Sequence, residues 1–352
     1  MKRLKKELAL CCVLTMLVVM TGCTQAAEPA ADPMGMAYFN YFDTVSYVYN
    51  YAGDSAETFE VRSAEVSDIL SEYHQLFDIY HEYSGINNLC TINRLAGGEP
   101  LRVDEKLINF LLYAEELYQR TDGEMNILMG AVLRIWHDYR TAAGEDPSTA
   151  AVPPMEDLLE AAQHIDFSLL EIDAQAGTVR LTDPEASIDV GALGKGYAAE
   201  QAAEHLRKQG ISGYVLNVGG NLRMIGSKPD GSGWVTGVKD PARPGEGFAA
   251  KVTLEDTSCV TSGNYERFYA VNGTRYHHII DQDTLFPAEY CDSITVVTED
   301  SGLADALSTA LFCMSYEDGI ELLASFEDVE ALWIFADGTL RYTDGFGQLL
   351  TN

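Results

Sequence analysis

Positive charge is scarce in this sequence. Across 352 residues, 23 Lys and Arg stand against 54 Asp and Glu, a formal net charge of −31. A chain this acidic repels nucleic acid backbones, so no nucleic acid partner is expected. Any anionic small molecule it binds must find locally concentrated positive charge or a metal ion. Cysteine is also sparse, at 7 residues with no C-x-x-C pair, which argues against zinc. Cys90, Cys259, Cys291 and Cys313 lie far apart, and both buried free thiols and an extracytoplasmic disulfide remain open. Long apolar runs are missing too. The longest, "LALCCVLTMLVVM" at residues 8–20, falls short of the roughly 20 residues a membrane span needs. No repeat of fixed period is visible.

What is present begins with a targeting segment. Lys2, Arg3, Lys5 and Lys6 precede that apolar run, and "TGC" follows it, the pattern of a secretory signal. The small residues before Cys23 resemble a bacterial lipoprotein box, implying cleavage at residue 22 and lipidation of Cys23; an ordinary signal peptide is the alternative. "TQAAEPAADP" reads as a flexible tether. The expected organisation is signal 1–22, tether 23–35 and one globular domain 36–352, with 47% hydrophobic residues for its core.

Periodicity places the elements. "DTVSYVYNYAG" alternates Val45, Tyr47 and Tyr49 on one face, as a strand does. Residues 57–80 have helical spacing, as does a second helix opened by Asp104 and stopped near Gly123. "TAAGEDPSTAAVPPM" (141–155) reads as a surface loop. "LLEIDAQAGTVRLTD" reads as a hairpin, 195–209 as a helix, and "GYVLNVGGNLRMIG" as a strand broken by paired glycines. "RFYAVNGTRYHHII" is a hairpin turning at Asn272-Gly273, "SITVVT" a strand and 300–314 a helix. A last helix and the hairpin "LWIFADGTLRYT" close the chain. Hairpin-joined strands alternating with helices predict an α+β fold with mixed, largely antiparallel sheets and packed helices.

Three stretches carry chemistry. "IDVGALGKGYAAE" (188–200) sets three glycines and Lys195 at a helix entrance. A Walker A loop would need Ser or Thr after Lys195, and a dinucleotide fingerprint would need other glycine spacing. The glycines allow either a ligand close to the backbone or a tight turn with no ligand. In "LADALSTALF", Asp305 and Thr309 share a helix face beside Ser308. They form either a modest hard-cation site or a cap with a packed threonine. In "RYHHIID", adjacent histidines of a strand face opposite ways, so at most one serves a given site.

In this order, and with "FDTV", "LNVGGNLRMIG", "WVTGVKDP" and "TSGNYERFY", the sequence resembles the ApbE family, FAD:protein FMN transferases, over nearly the whole mature chain. The resemblance implies an ApbE-like, T-fold-like architecture, FAD as substrate, Mg2+, and transfer of FMN to a threonine of an acceptor flavoprotein with release of AMP. Hydrolysis to FMN and AMP, or FAD binding without catalysis, are alternatives. By motif position, Asp305, Thr309 and the Ala192 carbonyl would hold the metal. Asp189 and Lys195 would contact the nucleotide. Tyr80, Glu124, Met125, Asn126 and Ile280 would line the flavin site. His278 would be the general base, a role suited to a histidine titrating near neutrality, or a group that positions the acceptor. Implied partners are extracytoplasmic flavin-carrying subunits of Rnf-type or sodium-pumping complexes, met at the outer face of a bacterial membrane through the lipid anchor. Phe42 for Met, Glu200 for Asp, Asn221 for Asp, and "DQDTLFPA" for the family's "DPxTGxPA" depart from the pattern.

Overall fold

The computed structural model describes residues 34–243 and 245–351. The signal segment and Cys23 lie outside the described residues. Strands are β1 (Met34–Tyr41), β2 (Thr44–Asn50), β3 (Leu101–Arg102), β4 (Leu170–Asp173), β5 (Thr178–Leu181), β6 (Tyr214–Val218), β7 (Asn221–Ile225), β8 (Trp234–Lys239), β9 (Phe248–Leu254), β10 (Ser258–Gly263), β11 (Phe268–Val271), β12 (Thr274–His277), β13 (Ser293–Thr298), β14 (Glu330–Ile334) and β15 (Leu340–Tyr342). Helices are α1 (Ala56–Phe77), α2 (Leu89–Arg94), α3 (Glu105–Arg120), α4 (Gly130–Glu145), α5 (Met155–Ala161), α6 (Gly194–Lys208), α7 (Ser301–Phe312), α8 (Tyr316–Leu323) and α9 (Asp344–Leu349).

Eight strands form one sheet in the order β1-β2-β6-β7-β10-β13-β14-β15, every neighbour antiparallel. The α+β expectation holds. Both faces of the sheet are covered at its centre, so all six residues of "SITVVT" are buried, while no residue of the edge strands β1 and β15 is buried. Leu216 and Val218 pack with α1, α3 and α6, and Ile294, Val296 and Trp333 pack with α7 and α8. Their strand neighbours Val215, Val297 and Leu332 point the other way, onto the β8–β9 ribbon and Phe346 of α9.

Several local expectations change. In β2 the buried face is Ser46, Val48 and Asn50, while Tyr47 and Tyr49 stack on the opposite side, because the helical layer covers the smaller side chains. Helix α1 stops at Phe77, three residues early. The Asp78 carboxylate accepts the amides of Tyr80 (2.7 Å) and His81 (3.0 Å) and turns the chain away. The segment expected as a loop from 141 continues α4 to Glu145 before turning at Pro147. The paired glycines do not interrupt one strand but turn a hairpin, both at positive φ (60° and 99°). Helix α9 follows the last hairpin.

The two helices that bring the glycine motif and Asp305 together, α6 and α7, cross at a glycine. A Cβ on Gly196 would stand 2.2 Å from the Ser301 carbonyl oxygen and 2.5 Å from the Asp305 Cβ. Nearby, the buried Glu200 carboxylate accepts the Ser301 amide (2.9 Å) and pairs with the fully buried Arg223 (2.8 Å), tying α6, α7 and β7 together. On another side, Glu124 faces Asp281, Asp283 and Asp318. Burial, followed by these like charges, raises its pKa to about 7.

Two predictions follow from this packing. Gly196→Ala will destabilise the protein by about 1–3 kcal/mol, because backbone cannot yield as a side chain does. Gly144→Ala, in α4 with open space around it, will be neutral or stabilising by about 0.5–1 kcal/mol. Urea unfolding of both variants checks this, and equal midpoints would contradict the crossing. The raised Glu124 pKa favours folding fully below the unfolded value of 4.5 and loses that contribution as pH rises through about 7. Glu124→Gln should therefore raise Tm relative to the wild type at pH 8 but not at pH 5. Parallel Tm–pH curves would remove the acidic contact as its cause.

Candidate functional site

The site is built on the end of one helix and the start of two others. After α1, the Asp78 turn presents Tyr80 with 54% of its surface exposed, its ring 5.3 Å from that of His137 on α4. The glycine motif follows a short extended run whose Asp189 amide donates to Ile127 O (2.8 Å). Asp189 then folds back on its own turn, its Oδ1 accepting the Gly191 amide at 2.8 Å. Burial raises the pKa of Asp189, while that hydrogen bond and the charges of His137, Lys195 and Arg140 act in the opposite direction.

The first turn of α6 is tied to α7. The Gly196 amide, one of the first-turn amides that a helix leaves without an internal acceptor, donates to Asp305 Oδ2 at 2.8 Å. Among the described residues, no donor is bonded to the Ala192 carbonyl. Lys195 bridges the same junction, with Nζ 3.0 Å from Gly191 O and 3.6 Å from Asp305 Oδ2. Asp305 is 3% exposed, and burial raises its pKa against the pull of Lys195 and the Gly196 amide. Its Oδ1 accepts no hydrogen bond among the described residues. Thr309, one turn on, donates only a long bond (3.3 Å) to Asp305 O, while Ser308 is committed to Ser262 (2.8 Å) and Asp305 O (2.9 Å).

These oxygens fit a hard cation. A buried carboxylate on α7, a loosely held hydroxyl one turn further along it and an unbonded carbonyl just ahead of α6 are the kinds of donor that suit magnesium completed by phosphate and water. Among the described residues, no group of three or more His, Cys, Asp and Glu is placed to hold a metal. This arrangement needs only one such side chain.

The two histidines separate as expected, although β12 ends at His277. His277 points inward, its Nε2 2.9 Å from Ala288 O and its ring edge-on to Phe312. His278 lies near Arg267, Arg140 and Lys195, and its buried Nδ1 has no hydrogen-bond partner among the described residues. The expectation of near-neutral titration does not hold. Burial first, then the charges of Arg267, Arg140, His277 and Lys195, push its pKa down to about 3. The ring is neutral at physiological pH.

Other expected residues stand apart from this cluster. Met125 is 2% exposed in the main core. The Asn126 side chain is used structurally, donating to Ile165 O (2.9 Å) and accepting the Leu128 amide (2.8 Å). Glu124 faces the acidic loop, and Ile280 packs in the cluster around Trp136 while bridging Pro287. Residues missed from the sequence are His137, Arg140 and Arg267. Arg140 is 3.2 Å from His137 Nδ1, and Arg267 donates to Asp43 O (3.4 Å) at the β1–β2 turn. That turn sets Phe42 and Asp43 at φ 55° and 50°. Arg267 sat within the quoted segment "TSGNYERFY", but nothing in its spacing pointed to the cleft.

Residues 43–333 match the model of the ApbE family. A protein of Treponema pallidum named FAD:protein FMN transferase is 33% identical over 302 residues, covering 81% of each chain. A Klebsiella pneumoniae protein of the same name is 28% identical over 282 residues, 78% of this chain and 82% of that one. The crystal structure of the ApbE protein from Thermotoga maritima superposes with a TM-score of 0.79 at 26% identity, covering 91% of this chain and all of that one. With a family match across most of its length, relatives covered over about four-fifths of theirs and a solved structure covered in full, the chain belongs to the ApbE family.

Proposed function

We propose that this protein is an FAD:protein FMN transferase that moves the FMN half of FAD onto a threonine hydroxyl of an acceptor flavoprotein and releases AMP. The observation that carries the reading is the junction of the Gly196 amide, Lys195 and Asp305 beside the unbonded Ala192 carbonyl. It gathers oxygen ligands and one fixed positive charge in a strongly acidic protein. The names carried by its relatives support the same activity.

In this reading Asp305, Thr309 and the Ala192 carbonyl hold Mg2+, which when bound neutralises charge on the diphosphate and its leaving group. Lys195 adds a cation that is already positioned, so little reorganisation is needed as charge moves. Tyr80 offers an open ring face to the isoalloxazine, and Asp189 a carboxylate to the nucleotide. The threonine oxygen forms a bond to the FMN phosphorus as the bond to the AMP oxygen breaks. The hydroxyl proton passes to His278, whose unpartnered Nδ1 is available to take it. Acceptors are extracytoplasmic flavin-carrying subunits of Rnf-type or sodium-pumping complexes, reached from the membrane surface through lipid on Cys23.

The test is to incubate the protein with FAD, Mg2+ and an acceptor domain, then denature. Flavin fluorescence that stays on the acceptor, with equimolar AMP, is the expected result. Free FMN with AMP would replace transfer by hydrolysis, and neither product would reduce the protein to a flavin binder. Asp305→Asn should lower transfer by at least about 100-fold, and chelation of divalent cations should abolish it reversibly. His278→Gln should cost on the order of 10²–10⁴-fold, and unchanged transfer would take His278 out of the chemistry.

A further inference from the structure

Arg140 and Arg267 are out of balance with their surroundings. In a chain of net charge −31, acids outnumber bases more than twofold, yet neither guanidinium forms an ion pair with a carboxylate among the described residues. They come from distant elements, α4 and the entrance to β11, and lie close enough that Arg267 lowers the proton affinity of Arg140, which burial already lowers. Each guanidinium has five N–H donors. Among the described residues Arg140 is bonded only to His137 Nδ1 and Arg267 only to Asp43 O, so most of those donors find no acceptor there. The acid that feels the field of Arg140, Asp189, is already held by the Gly191 amide. The buried Nδ1 of His278, also without a partner, lies on the same side.

A partly buried guanidinium beside a second cation at the surface is costly unless an anion joins them. Arginine forks match phosphate oxygens two at a time. We infer that Arg140 and Arg267 form a clamp for the diphosphate of the dinucleotide substrate, seating it between Lys195 and His278. The inference rests on the proposed FMN transfer and adds residues to it that the sequence did not mark.

The clamp has a consequence for proton transfer. Arg267, Arg140, His277 and Lys195 are the charged or titratable groups facing His278, and with burial they make the empty site's imidazole a very weak base. A bound diphosphate cancels much of that positive field. The affinity of His278 for a proton then rises when substrate is present, which is when the threonine hydroxyl must give one up.

Inorganic pyrophosphate is the probe. Calorimetry on the full-length protein should show Arg140→Gln and Arg267→Gln each weakening pyrophosphate by about tenfold, with FAD affinity falling in parallel. Arg→Lys at either position should recover part of the loss. Arg275→Gln, which removes an exposed arginine of the same hairpin stacked on Phe268, should change nothing. Arg267 stands at the surface, so its variants report even if Arg140→Gln fails to fold. NMR of the imidazole nitrogens adds a readout that a structural role would not move. Pyrophosphate should raise the titration point of His278 in the wild type, and by less in Arg267→Gln. Variants that bind pyrophosphate and FAD as the wild type does would overturn the clamp. So would a defect confined to the KM for the acceptor, which would assign the pair to the acceptor protein instead. A wild type that binds pyrophosphate through these arginines but flavinylates no acceptor would leave the clamp standing and remove the transferase reading.

Discussion

The hydrogen bond from the Gly196 amide to Asp305 joins chain segments 109 residues apart, and the rest of the site depends on it. It satisfies one of the amides that any helix leaves without a partner in its first turn. The contact closes α6 onto α7 beside the Ala192 carbonyl, which lies just ahead of the helix and has no donor among the described residues. The contact is possible because residue 196 has no side chain, with Ser301 and Asp305 occupying the place a Cβ would take. The glycines of "IDVGALGKGYAAE" are therefore not a phosphate loop. Gly191 turns beneath Asp189, Gly194 packs against Phe77, and Gly196 admits the neighbouring helix.

Burial sets the electrostatics around this junction. Asp305 and Asp189 lose hydration and would drift toward the neutral form, but amide donors and Lys195 oppose that drift. His278 loses hydration too, and there the cations act in the same direction as burial, so its charge is suppressed. Burial still outweighs these contacts, so both acids keep raised pKa values, and the positive charge of a ligand or cation would favour their ionised form. The acidity of the whole chain makes this local excess of positive charge more conspicuous and gives the cleft a sign opposite to its surroundings.

Much of the fold was legible because hairpins and caps are local. Asn272-Gly273 turns β11 into β12 at positive φ, and the Asp104 side chain caps α3 on Lys106 N (2.8 Å), both as the sequence indicates. The junction residues Asp189, Lys195, Asp305 and Thr309 were legible as motifs, though periodicity alone could not bring them together. His137 and Arg140 were not, because α4 went unrecognised and its end was taken for a loop. Its start has no capping side chain, since the Gly130 amide bonds instead to Ser187 O, so the usual signal of a helix start is missing. The depressed pKa of His278 was illegible for a different reason. It depends on arginines that only tertiary packing places beside it.

Departures from the family pattern become intelligible at the same junction. Glu200 accepts the Ser301 amide and, through both oxygens, the Arg223 guanidinium. One carboxylate thereby fixes the start of α7 against both α6 and the sheet. Ser301 is the residue whose carbonyl crowds Gly196, so Glu200 helps hold Asp305 in register with the glycine turn. Asn221, in place of an acid, lies close enough for its amide dipole to favour ionised Asp305, while its own Nδ2 makes no hydrogen bond. A carboxylate there would have set a second negative charge beside a buried first one, with Lys195 to offset both. With asparagine, Lys195 and Asp305 balance one to one, and the remaining charge demand at the junction is left to whatever binds between it and the two arginines.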